Sequence, residues 1–121
     1  MSKNKKEYNL KERTSLFGEH VIDLCMSMRR NDINTPIIKQ LIKSSTSVGA
    51  NYCEADNAES TKDFKHKIGI CCKESDESKY FLRMLAKSNP EKIEKCRELW
   101  QEANELNLIF NSIIRKLGGR N

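Results

Sequence analysis

Proline and glycine are scarce, with two prolines and five glycines among 121 residues. A strand-rich fold with many tight turns needs more of both, so long helices are expected. Long apolar runs are also missing, and no stretch approaches the ~20 residues that cross a bilayer, so no membrane partner is expected. The opening MSKNKKEYNLKER lacks the apolar centre of a secretory signal. The cysteines Cys25, Cys53, Cys71, Cys72 and Cys96 are odd in number and include no CxxC. A reduced, cytoplasmic protein whose thiols mostly fill its core is therefore expected.

Signatures of catalysis are missing as well. There is no GxxxxGK[ST] and no GxGxxG following a strand, so no backbone cradle for a phosphate is formed. His20 and His66 lie on different segments without metal-ligand spacing, and Cys71 and Cys72, being adjacent, point apart on a helix. No recognisable motif lowers a thiol pKa. The acidic run ESDES (74–78) invites comparison with di-metal carboxylate bundles, which need Glu-x-x-His units, and none is present. Solvated charges or ion pairs with Lys73 and Lys79 account for it better. The expectation is a protein that is not an enzyme, with no cofactor and no metal site.

What is present is periodic. Charged residues make up 32%, apolar ones 37%, and mean hydropathy is −0.72. One domain of 121 residues is polar for a compact monomer, but its apolar positions recur at helical spacing, which argues against disorder. Phe17, Val21, Leu24 and Met28 place a first helix at about Leu10–Arg30. RRNDINTP breaks it, with Thr35 a candidate cap and Pro36 the first residue of the next helix. Ser60 is a candidate cap for a third helix with the stripe Phe64, Ile68, Cys71, Ser75, Ser78, Leu82 and Leu85, ending at Ser88-Asn89-Pro90. Asn89 and Pro90 open a fourth, whose stripe runs Ile93, Cys96, Trp100, Ala103, Asn107, Phe110, Ile114 and Leu117. A second stripe, Leu99, Leu106, Ile109 and Ile113, makes this face wider than one seam needs. Gly118-Gly119 stops it. Short connections predict an all-α, antiparallel up-down-up-down four-helix bundle over 10–119, with residues 1–9 a frayed basic N-terminus.

The second segment poses the sharpest question. SSTSVGANYCEADNAES (44–60) reads as a loop by propensity, since Ser, Thr and Gly cost up to about 1 kcal/mol each in a helix. Yet Ile38, Leu41, Ser45, Val48, Tyr52 and Ala55 step by threes and fours without a break. The period decides for a helix over about 36–57, with small residues that let another helix approach closely.

Net charge is +5 and the pI about 9.0. That balance favours a polyanionic partner, RNA or DNA first. No acidic residue occurs from Ile33 to Cys53, and Lys39 and Lys43 sit one turn apart there. Arg29 and Arg30 precede them, and Arg115 and Lys116 lie near the chain end. Any single lysine is ordinarily solvated surface, so only the collective pattern nominates Arg29, Arg30, Lys39, Lys43, Arg115 and Lys116 as phosphate contacts.

SSTSVGANYCEA (44–55) resembles the "SGTSIGANxxEA" segment of the bacterial four-helix-bundle family of 23S rRNA intervening-sequence proteins. AESTKDFKHKIGI (58–70) is similar to its "AESxxDFxxKxxI", and KESDESKYFLRML (73–85) to its "KExxETxYWLxLL". Phe81 stands where Trp is usual and Ser78 where Thr is usual. The resemblance implies structural roles for Ser45, Ser47, Val48, Gly49, Asn51 and Glu54, with Asn51 and Glu54 bonding between helices or subunits, and it carries no catalytic residue. It also implies likeness to the accessory protein of diversity-generating retroelements, a basic homopentamer that binds nucleic acid and a reverse transcriptase. A homo-oligomer, a pentamer by this resemblance, is therefore expected, and the width of the fourth helix points the same way. The expected function is weakly selective binding of RNA or DNA. The alternative is an adaptor for a protein such as a reverse transcriptase.

Overall fold

Four amphipathic helices account for most of the computed structural model, which describes residues 9–118. They are α1 (Leu10–Met26), α2 (Asn34–Asp56), α3 (Thr61–Ser88) and α4 (Ile93–Lys116), with a 3-10 turn at Pro90–Lys92 leading into α4. No strand occurs among the described residues. The N-terminal segment expected to fray lies, apart from Asn9, outside the described residues, as does Gly119.

Each helix packs on its chain neighbour, and α4 closes the ring against α1. Pairings across the seams give the directions. A Cβ on Gly18 would lie 3.7 Å from the Ser45 carbonyl oxygen, and one on Gly49 3.4 Å from that of Thr14. Ser44 meets Ser78, and the Cys71 thiol meets the Val48 carbonyl. Lys79 reaches Asn104, and Ser75 accepts from Asn107. Rising numbers on one helix meet falling numbers on the next, so the bundle runs up-down-up-down. Its interior holds Phe17, Val21, Ile38, Leu41, Val48, Ile68, Leu82, Leu85, Leu106 and Phe110, none more than 1% exposed. Burial of each such side chain is worth about 1.5–3 kcal/mol.

The boundaries differ from expectation at one end of the bundle. α1 stops at Met26 rather than near Arg30. The Ser27 hydroxyl donates to the Leu24 carbonyl at 2.6 Å, and the chain turns so that Met28 covers the core. α2 begins at Asn34, and Thr35 is not its cap. Asn31 takes that role, its side-chain oxygen accepting from the N–H groups of Ile33 and Asn34 at 2.8 Å each. Asn34 returns the bond, its Oδ1 accepting from the Asn31 N–H at 2.9 Å. Asn89 makes no side-chain cap either. It is buried, and its Oδ1 accepts from Asn34 Nδ2 at 3.1 Å, tying the α1–α2 link to the α3–α4 link. At the other end the expectation holds: Ser60 caps α3 by accepting from Asp63 N–H at 3.0 Å, and Gly118 leaves α4 at φ 105°.

The wide apolar face of α4 also has a different meaning from the one expected. Leu99 and Leu106 are buried, and Ile109 and Ile113 pack on the core. Because α4 touches both α3 and α1, it needs two seams, and a single chain uses both stripes. That width gives no support for an oligomer.

Candidate nucleic-acid interface

The small-residue segment lies within α2. Ser44, Ser45, Val48 and Gly49 are buried and face α1 and α3. Ser47 and Asn51 are half-buried and bond to each other within the helix, Asn51 Nδ2 donating to the Ser47 hydroxyl and carbonyl at 2.9 Å. The resemblance implied bonding between helices or subunits for Asn51, and within the chain this amide bonds to its own helix. Glu54 does cross, meeting Lys67 of α3 at 2.7 Å. That contact, chiefly its hydrogen bond, raises the Lys67 pKa. The segment is a packing surface.

The candidate cations do not converge on one site. Arg29 and Arg30 are exposed in the α1–α2 link, and Lys39 and Lys43 are exposed on α2. The antiparallel course puts the link and the start of α2 at the end where α3 turns into α4. Arg115 and Lys116 occupy the last turn of α4 at the opposite end, roughly 30 Å away at 1.5 Å per residue. There they also complement the helix dipole. None of these cations forms a salt bridge with another described residue. Lys43 lies near Glu74, whose carboxyl is pushed up by burial and by Glu77 and held down by Lys73 and Lys43.

The structure adds cations that the sequence reading passed over. Arg83 and Lys87 of α3 and Arg97 of α4 border a groove of about 440 Å³ floored by Leu82, Ala86, Ile93 and Trp100. Lys79 sits deeper in the same seam. Its ammonium is 5.2 Å from the centre of the Trp100 ring, 3.1 Å from Asn104 Oδ1 and 3.4 Å from Asp76. The spacing Lys79, Arg83, Lys87 was a readable signal, since residues four apart share a helix face.

Burial pushes the thiols up, to about 11 at Cys25 and Cys96 and about 12 at Cys71. Among the described residues no group of three or more His, Cys, Asp or Glu side chains is placed to hold a metal ion. No helix among them is long and apolar enough to cross a membrane.

A family model described as 23S rRNA-intervening sequence protein matches residues 6–112. A crystal structure of a protein with unknown function from the S23 ribosomal protein family of Bacteroides thetaiotaomicron VPI-5482 is similar, at 28% identity and a TM-score of 0.75. The match covers 87% of this chain and 97% of that one. No curated protein matches the chain.

Proposed function

The chain belongs to the family of 23S rRNA-intervening sequence proteins, and from that premise we propose a non-enzymatic, homo-oligomeric bundle that binds RNA or DNA with little sequence preference. The observation that carries this reading is the set of exposed cations Arg29, Arg30, Lys39 and Lys43 toward one end of the bundle, none held in a salt bridge with a described residue. Arg115 and Lys116 form a second, separate group, which suits a strand lying along the bundle rather than one compact site. An oligomer, pentameric by the family resemblance, repeats the charge of +5 in every copy and adds multivalency. The cytoplasm is the proposed compartment.

A second reading, an adaptor for a protein such as a reverse transcriptase, draws support from exposed apolar side chains. Tyr80 is 57% and Leu108 59% exposed on neighbouring helices. A protein partner covers such groups more readily than phosphates do.

Fluorescence anisotropy with single-stranded RNA, structured RNA and duplex DNA, titrated against salt, tests the proposal. Saturable binding should weaken linearly in log salt, and Lys39→Glu with Lys43→Glu should lower affinity and flatten that slope. Absence of binding to all three at low salt would reject the nucleic-acid reading in favour of the adaptor. Binding unaffected by the double reversal would reject these two sites.

A further inference from the structure

From the groove between the end of α3 and the start of α4, we infer a docking site for single-stranded nucleic acid, with a base against Trp100 and phosphates on Arg83, Lys87 and Arg97. The inference rests on the nucleic-acid reading above but places contacts on residues that reading does not use.

No residue lining the groove is acidic. Arg83 and Lys87 are exposed and one turn apart, about 6 Å along the axis. That is of the order of the separation between successive phosphates in an extended strand. Arg97 faces them from α4, its guanidinium 3.9 Å from Glu94, a pair so exposed that it offers little competition to a phosphate. Between these charges lies an apolar floor that includes Trp100, which is 37% exposed. The Lys79 ammonium lies 5.2 Å from the ring centre but is paired with Asp76 at 3.4 Å, so the phosphate contacts fall to Arg83, Lys87 and Arg97.

A polyanion alone needs the cations but not the floor. An apolar peptide needs the floor but not three cations around it. A single strand supplies phosphates and unstacked base faces together, the combination that stacking platforms in charged grooves recognise. A duplex buries its base faces and gains only the charges. An acidic peptide is left to the experiment as the competing occupant.

Trp100 is the only tryptophan in the chain, so fluorescence excited at the red edge, where the three tyrosines do not absorb, reports on the groove. The full chain is titrated with a single-stranded oligouridylate, a duplex of equal length and poly-glutamate, with anisotropy of labelled oligonucleotide followed in parallel. The single strand should quench Trp100 in step with the anisotropy, and the duplex and poly-glutamate should not. Arg83→Glu with Lys87→Glu, both at exposed positions, should lower single-strand affinity at least tenfold and reduce the salt slope by about 1.4. Trp100→Leu should lower affinity about five- to a hundredfold, and Trp100→Phe should restore most of it by keeping a planar ring. Single-strand binding that leaves the fluorescence and both groove variants unchanged would overturn the groove site while leaving the nucleic-acid function intact. Equal quenching by duplex or poly-glutamate would overturn the choice of occupant. No binding to any nucleic acid would remove the function and this site together.

Discussion

The hydroxyls of Ser44 and Ser78 lie 3.0 Å apart, both buried, in the seam between α2 and α3. Each carries one proton. Ser78 donates back to the Glu74 carbonyl at 2.9 Å, a shorter contact than the 3.2 Å from Ser44 to Leu41. A relay in which Ser44 donates to Ser78, and Ser78 to Glu74, satisfies both groups. Only side chains this short let two helices meet with no larger residue between them, which is why α2 tolerates its poor helix formers. Ser78→Ala should cost about 1 kcal/mol, the net worth of one hydrogen bond. Ser78→Leu should cost more, about 1–3 kcal/mol, by overpacking. Urea unfolding compares them, and a leucine variant as stable as the alanine one would show that the seam is not narrow.

A second tie joins α1 to α4. Arg13 Nε and Nη2 donate to the two oxygens of Glu102 at 2.7 and 2.9 Å, and Nη2 reaches Glu105 at 2.7 Å. The hydrogen bond to Glu102 outweighs burial and raises the Arg13 pKa. The fork is what matters, because a lysine ammonium cannot serve both oxygens in the same plane. Arg13→Lys should therefore cost about 1 kcal/mol, and Glu102→Gln a similar amount, both less at high salt. Unfolding at two salt concentrations checks this. A lysine variant as stable as the parent would mean that charge alone holds this seam.

The thiols give a chemical readout of the core. Cys25, Cys71, Cys72 and Cys96 are buried, whereas Cys53 is half-buried. Labelling of the native protein at pH 8 with a disulfide reagent should show one fast thiol of five, the rest reacting on unfolding. Burial raises the pKa of Cys25, Cys71 and Cys96 in the folded state. Above about pH 9 the unfolded chain loses these protons first, so stability is full below that pH and falls as pH rises toward 11–12. An alkaline unfolding series on the parent and on Cys71→Ala should show a shallower decline in the variant.

The fold was legible because each helix carries its own period. Ser45, Val48 and Tyr52 continue the stripe of Ile38 and Leu41 through a stretch whose propensity says loop, and packing decides in favour of the period. Helix ends were less legible near Asn31 and Asn34, where either asparagine can cap and the choice depends on Asn89, which is 55 residues away from Asn34 in the chain. The candidate interface was legible only in part. Lys39 and Lys43 are neighbours by local spacing, so a sequence reading can pair them. Arg97 joins Arg83 and Lys87 only after α4 folds back on α3. Likewise Leu99 and Leu106 looked surplus because the sequence cannot say that α1 returns to cover them.

Two glycines separate a tight seam from an open surface. A Cβ on Gly49 would stand 3.4 Å from the Thr14 carbonyl oxygen, and one on Gly69 would meet nothing within 4 Å. Alanine is worth about 0.8–1 kcal/mol over glycine inside a helix. Gly69→Ala should therefore raise stability by most of that amount, measured by thermal or urea unfolding. At Gly49 the added methyl just reaches ordinary contact with the Thr14 backbone, so Gly49→Ala should keep at most the same gain, while the further methyls of Gly49→Val have no room against α1 and should be clearly destabilising. The Gly69 result also bears on assembly, because that position faces outward from α3. If Gly69→Ala destabilises and shifts the particle to smaller size in light scattering, a second copy lies against this part of α3. If it stabilises with the size unchanged, the homo-oligomer proposed above uses another face.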